Sequence, residues 1–589
     1  MLDVLIRGGT IVDGLGGEPF AGDLGIKGGK IVEIGAEISS EAHKVIEADG
    51  AIITPGFVDI HTHFDGQVSW DDDMDPSFSH GVTSVVMGNC GVGFAPVPKG
   101  GEKDLIEVME GVEDIPGTAL YEGIPWGEWE TFPEYLDHIA SRKYSLDIGT
   151  QVPHGAIRNY VMGKRGRDNQ AATTADIEEM SALVEEALRA GALGFSTSRT
   201  IGHRDIRGNE IPGTHAQRDE ILSFADAIKR VGRGVFELIP AGCVGELEHM
   251  GGEQSTYAEE IDLMTEVSKR GECPVTFTLV QNGDQPSTWR DVLESVAKIN
   301  KRGGRLSPQV ACRPIGIISS LLTYHMFQRR ETYLEFADLP FEERLAKMRD
   351  PAVRAAILAD KDIPHEYSGS MVAAVHEILR ASFDSLYEMS EPVEYEPTRD
   401  QNFTNRALRD GKSNAEFMYD FLTGLDGKRF AILLGSNFHD ANHDAIRAMM
   451  TDPNTVVGLS DAGAHVNMIF DGVAPTYQLT HWAKGRVRGD KIPLGYLVYK
   501  QSYKNAQLYG LTDRGSLEIG KRADINVIDF EKLKLGGLEV HHDLPAGGSR
   551  ILQSASGYLA TFVNGVQTRE NDKDTGARPG RLIRGALTK

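Results

Sequence analysis

The chain has 589 residues, 40% hydrophobic and 25% charged, which is ample apolar material for a large core. Its 86 acidic residues outnumber 61 basic ones for a formal charge of -25, arguing against nucleic acid or an anionic membrane surface as the main partner. No apolar run approaches the roughly 20 residues a membrane helix needs, no basic-then-apolar leader opens the sequence, and four cysteines cannot build a disulfide scaffold, so a cytoplasmic location is expected.

From Leu2 to Thr54 the chain reads as short β-branched strands around Val4–Ile6, Thr10–Val12, Leu24–Ile26 and Lys30–Ile34, separated by glycine-rich turns. The rhythm then changes to helices that run into short apolar strands. Ile177–Ala190 carries apolar residues at Ile177, Met180, Leu183, Val184, Ala187 and Leu188, has Gly191 as its stop, and leads into Leu193–Thr197. Asp219–Val231 followed by Gly234–Pro240, and Tyr257–Arg270 followed by Pro274–Val280, repeat the unit. Such units predict an α/β protein with a parallel sheet and outer helices, either barrel or doubly wound. Segments Ala523–Asp529 and Ala560–Val566 return to the strand–turn style of the beginning. The expected arrangement is therefore a central barrel over 56–510, with a small β-domain, a β-sandwich, built from 1–55 and 511–589. The stretch 283–424 fits worst and is read as a large insertion, either a lid or helices with a packing role, with Glu391–Pro397 loop-like.

Segment Pro55-Gly56-Phe57-Val58-Asp59-Ile60-His61-Thr62-His63 is the most informative. Residues two apart on a strand share a face, so His61 and His63 project together from the strand's C-terminal end. Two imidazoles in that relation can grip one divalent ion, with Asp59 and Asp65 near enough to orient the rings.

That segment resembles the first-strand signature of the amidohydrolase superfamily. More narrowly, the chain is similar to the N-acyl-D-amino-acid deacylases. Gly81–Gly91, His154–Arg158 with Val161-Met162-Gly163, Gly191–Thr197, and Asn564-Gly565-Val566 with Thr575–Arg581 carry the same likeness. The resemblance implies a (β/α)8 TIM barrel and a metal-dependent hydrolase of an amide C–N bond, acting on a small-molecule N-acyl-D-amino acid or related acyl amide. It implies zinc, as one ion or two, and makes Cys90, which follows the apolar strand Val82–Met87, a metal ligand. It also assigns Asp461, at the end of Thr455–Ser460, to the metal and to the general base; by itself the residue reads equally as the cap of the following turn.

The family pattern is not met everywhere. Glu237 stands where a metal-binding histidine is expected, and Pro274–Asn282 holds no histidine. Glu237 is thus either an oxygen ligand or a buried structural carboxylate. His203 could supply a missing imidazole or lie exposed in its loop. A substrate carboxylate calls for a guanidinium, for which Arg313, Arg158 and Arg199 are candidates; His154, Ser460 and His465 complete the expected substrate contacts. His439 and His443, near a helix start, are read as a solvated face. Hydrolysis of a cyclic amide and a non-catalytic binding barrel are the alternatives, and a homo-oligomer is expected by analogy only.

Overall fold

The computed structural model describes residues 1–390 and 393–585, so Glu391 and Pro392 of the expected loop, and the last four residues of the C-terminal part, lie outside the described residues. Eight parallel strands form one sheet in chain order: β1 (Phe57–Asp59), β2 (Val82–Met87), β3 (Asp147–Pro153), β4 (Gly194–Ser198), β5 (Val235–Ile239), β6 (Val275–Thr278), β7 (Leu306–Val310) and β8 (Val456–Val457). Apart from Ser307, every residue in them is buried, as expected of strands covered on both faces. The sheet closes on itself just past β1 and β8. There Thr62 bridges Ala462 in parallel, His63 N donates to Ala462 O at 2.8 Å, and Asp461 N donates to His61 O at 3.1 Å. Asn505 Nδ2 spans the same seam, donating to Val58 O and Val457 O at 2.8 Å each. The result is a TIM barrel.

The helices obey local rules. The one after β3's loop region spans Thr174–Ala190 and buries Met180, Val184, Ala187 and Leu188 on one face. It begins three residues before the apolar periodicity because Thr173 and Asp176 form a capping box, and it stops at Gly191.

Both termini enter a single nine-stranded sheet. Ile52–Pro55 pairs with Leu2–Ile11 on one side and antiparallel with Ile525–Ile528 on the other, which knits the two ends together. Ile6, Leu24, Ile26 and Ile53 share its core with Ile525, Val527 and Phe562. The chain passes from this sheet into β1 through Gly56, where an added Cβ would stand 2.2 Å from Thr83 Oγ1, so only glycine fits.

The expected insertion starts later than 283. Helix Thr288–Lys301 and β7 form an ordinary barrel unit, and the departure lies between β7 and β8. Its strands Gly316–Ser319, Leu386–Glu388 and Ala431–Leu434 form a three-stranded antiparallel sheet. Around them Phe327, Tyr333, Leu379, Phe403, Phe421 and others make a separate core. The periodicity of single helices could not separate these two kinds of unit, because both bury one apolar face. No described helix is long and apolar enough to cross a membrane.

Arg514 fastens the small sheet's approach to the barrel, its Nη1 donating to Asp147 Oδ2 at 2.6 Å and Ser84 Oγ at 2.9 Å in a buried site. Arg514→Met is expected to destabilise by about 3 kcal/mol, the low end for a broken buried pair because Arg522 still holds Asp147. The urea midpoint of the full chain checks this; an unchanged midpoint would remove the pair from the fold's stability.

Candidate metal centre

His61 and His63 leave the C-terminal end of β1, and Cys90 leaves β2 with a left-handed backbone, φ 57°. That conformation is held from across the barrel, where Glu237 Oε2 on β5 accepts from Cys90 N at 3.1 Å. His61 Nε2 then stands 3.4 Å from Cys90 Sγ, and His63 Nε2 stands 3.8 Å from it. Asp461, itself at φ 46°, reaches in from beyond β8 with Oδ1 3.3 Å from His61 Nε2 and 3.9 Å from His63 Nε2. Ligand atoms about 3.4–3.6 Å apart are what a tetrahedral zinc ion with N and S donors requires.

Each ring also faces a polar group on its far side. Gln309 Oε1 on β7 lies 2.9 Å from His61 Nδ1. An amide oxygen accepts, so the proton is on Nδ1 and Nε2 faces the centre as a bare lone pair. Glu113 Oε1 lies 3.4 Å from His63 Nδ1, and Glu113 Oε2 lies 3.6 Å from His465 Nε2. Asp59 and Asp65 hold backbone rather than the rings: Asp59 accepts from His61 N and Ser460 Oγ, and Asp65 accepts from Gly88 N.

The electrostatics ask for a cation. Among the described residues no lysine or arginine pairs with Asp461, Glu113 or Glu237, whose only ion-pair contacts are histidines or none. Burial first, then repulsion from neighbouring carboxylates (Asp471 and Asp59 for the first, Asp461, Asp65 and Glu237 for the second), holds Asp461 and Glu113 well above the usual carboxylate range. Burial likewise raises the Cys90 thiol and pushes His63 well down. Glu237 Oε1, Glu113 Oε1 and His63 Nδ1 have no hydrogen-bond partner. Two imidazoles, a thiol and a carboxyl group with no lysine or arginine paired to them are a donor set that fits a borderline divalent metal such as zinc.

The other expected residues divide. His203 is only half-buried, but its charge opposes protonation of His61, His63 and His465, so it is turned toward the centre. Ser460 Oγ donates to Asp59 Oδ2 at 2.5 Å and to His61 O at 3.0 Å, clipping the barrel seam instead of facing a substrate. His154 and Arg158 are committed to Glu220, with His154 Nε2 2.9 Å and Arg158 Nη1 2.6 Å from its oxygens, and His154 Nδ1 lies 2.8 Å from Thr197 Oγ1. Arg199 is likewise held by Glu260 at 2.9 Å and Ala216 O at 2.8 Å. These three are corrected from ligand contacts to internal ties, since a buried guanidinium or imidazole already paired has little left to offer. Arg313 is also buried and paired, to Asp471 at 2.6 Å, but it differs in that its partner lines the same small cavity as Asp461, which Glu220 and Glu260 do not. That cavity holds about 20 Å³. A wider cleft of 270 Å³, lined by Gly234, Glu272 and Tyr509, opens at the opposite, N-terminal end of the strands and contains none of these groups.

Glu113 and Gln309 were not foreseen. Glu113 ends helix Glu102–Glu113, where the dipole disfavours an acid, and that mismatch was the one available signal. Gln309 carries none, since an amide on a buried strand has no motif.

A family model described as the amidohydrolase family matches residues 44–568. An N-acyl-D-aspartate deacylase of Alcaligenes xylosoxydans xylosoxydans is 33% identical over 227 residues, 38% of this chain and 41% of that protein. A D-aminoacylase of the same organism is 34% identical over 195 residues, 33% of this chain and 37% of that protein. The chain thus aligns with about two fifths of the length of these curated relatives. The solved N-acyl-D-glutamate deacylase of Bordetella bronchiseptica, complexed with zinc and a phosphonate inhibitor, superposes with a TM-score of 0.62 at 20% identity, covering 99% of this chain and 100% of that one.

Gln309→Leu leaves the His61 tautomer unset and is expected to weaken metal binding about 10–100-fold, as for other lost partners of ligating histidines. Competition with a chelator of known affinity measures it, and unchanged affinity would deny Gln309 the orienting role.

Proposed function

The chain belongs to the amidohydrolase family, and from that premise we propose that it hydrolyses the amide of an N-acyl amino acid, using one zinc ion held by His61, His63, Cys90 and Asp461. The observation that carries the reading is the convergence of His61, His63 and Cys90, with Asp461 set against both imidazoles, at the C-terminal end of a closed barrel, where barrel enzymes keep their chemistry. The D configuration is supported by the relatives that act on N-acyl-D-aspartate and by the D-aminoacylase. Zinc is supported by the thiol among the donors and by the zinc-bound deacylase of the same fold. Glu237 is the residue available for a second ion.

A zinc ion held by these residues would supply polarisation of the acyl carbonyl and acidification of a water toward a pKa of about 7. Asp461 is placed to accept a proton from the attacking water as it adds to the carbonyl carbon. It returns that proton to the nitrogen as the C–N bond breaks, so a carboxylic acid and an amine leave. Its backbone is locked to His61 O, which keeps the carboxylate from swinging away. Gln309 holds the His61 imidazole in the orientation that leaves its Nε2 free, and Glu113 stands beside His63. Arg313, paired with Asp471 beside the cavity that Asp461 lines, is the guanidinium best placed for a substrate carboxylate.

Asp461→Asn is expected to lower kcat by about 10²–10⁴-fold with the fold retained; kcat within a factor of two of the wild type would remove the general base. Arg313→Lys should raise KM for N-acyl-D-amino acids while Arg158→Lys and Arg199→Lys lower the thermal midpoint without moving KM. Steady-state kinetics beside thermal scans of the three variants separate these, and equal KM in all would sink the assignment of Arg313. Zinc stripping by chelator should abolish turnover, with return on zinc addition; activity that survives complete stripping would overturn the metal mechanism.

A further inference from the structure

A second group of ligating side chains lies apart from that centre, where the end of the β7–β8 excursion meets the last part of the barrel. Glu396 lies between strand Leu386–Glu388 and helix Phe403–Arg409, His443 precedes helix Asp444–Thr451 as its cap, and His481 lies in the π-helical turn Gln478–Gly485. Single π turns are frequent at functional sites. His443, expected on a solvated face, is fully buried, and Glu396 is almost so. His443 Nδ1 stands 3.2 Å from His481 Nε2, and Glu396 Oε2 stands 3.8 Å from the first and 3.7 Å from the second. Around a tetrahedral ion with bonds of about 2.0–2.1 Å, neighbouring donors stand about 3.4 Å apart.

The partners of these groups fit the same geometry. His443 Nε2 lies 2.7 Å from Tyr395 O, which can only accept, so the proton is on Nε2 and Nδ1 presents a lone pair to the other two residues. Glu396 Oε1 accepts from His443 N at 2.8 Å and from Arg486 at 3.0 Å. Oε2 accepts from Arg486 Nε at 3.2 Å and keeps a second lone pair for the imidazoles. The His481 ring is clamped by Tyr477, stacked at 4.9 Å and 11°, and its 14% exposed side chain offers a path from solvent. The cations facing the group are Arg486, tied to Glu396 and Asp444, and Arg488, tied to Glu396 O and Pro397 O. With a guanidinium already on the carboxylate, attraction for a hard cation is weak, and nitrogen donors select a borderline transition ion.

We propose that Glu396, His443 and His481 bind a second divalent transition ion of the zinc class, independent of the centre at His61 and Cys90. Such an ion would rivet the end of the excursion to the barrel. It would also set the place of Arg313, because Tyr395 lies under that guanidinium at 4.4 Å and packs edge-on against Tyr477, which stacks on His481. The competing arrangement is a plain hydrogen bond between the two imidazoles.

The test is metal counting on the full chain, stripped and reloaded with Zn²⁺. The variant His61→Ala/His63→Ala should retain one equivalent, which disappears when His481→Gln is added. No ion in the double variant, or an ion that survives His481→Gln, overturns the proposal. Should the double variant fail the circular-dichroism check for folding, Co²⁺ on the wild type decides. His481→Gln should then lose one equivalent and its visible d–d absorption while the Cys90 thiolate charge-transfer band stays. Unchanged cobalt stoichiometry and spectra mean that only the imidazole hydrogen bond exists.

Discussion

The site exists because the barrel closes. The backbone pairing that joins β1 to β8, Asp461 N to His61 O and His63 N to Ala462 O, is also what sets the Asp461 carboxylate against the two imidazoles. Ser460 reinforces the same seam by bonding Asp59 and His61 O, across 401 positions of sequence to Asp59. Structural closure and assembly of the centre are therefore one event, and a chain that failed to seal β8 onto β1 would have donors but no site.

Closure also creates the electrostatic problem that a metal resolves. Asp461, Glu113 and Glu237 are carried into a region without a paired lysine or arginine, together with a thiol and neutral imidazoles. Buried like charges are costly unless compensated, and here the compensation is left to an ion. Backbone strain gathers at the same place: Cys90, Leu459, Asp461 and His465 all adopt left-handed conformations without being glycine. Each costs about 1–3 kcal/mol in isolation, and such strain persists where surrounding structure enforces it for a purpose. The hydrogen bond from Cys90 N to Glu237 is one such enforcement.

The second cluster shows the same logic with different neighbours. Glu396, His443 and His481 are brought together by the excursion between β7 and β8, which has its own core of aromatic and aliphatic side chains. Its contact with the barrel runs through Arg313, Tyr395 and Tyr477, all close to the side of the barrel where Asp461 sits. A feature that looks like an appendage in the chain order is thus wired to the region that would receive a substrate.

Residues at strand ends were legible before any coordinates. The strand period puts His61 and His63 on one face, an apolar strand leads to Cys90, and another leads to Asp461; the alternation of helices and strands called for a parallel sheet with a β-domain from both termini. Those features depend only on neighbours in sequence, because side-chain direction along a strand is a local property. What the tertiary structure decided was partnership. Arg158 and Arg199 look the same as Arg313 in sequence, yet Glu220 and Glu260 claim the first two while the third pairs with Asp471, beside the cavity that Asp461 lines. Gln309 becomes a ring-orienting group, Glu113 comes to stand beside His63, and His443 passes from an expected solvent face to the interior, only through packing between segments far apart in the chain. Pairing, burial and charge compensation are properties of the space between elements, and no periodicity within one element encodes them.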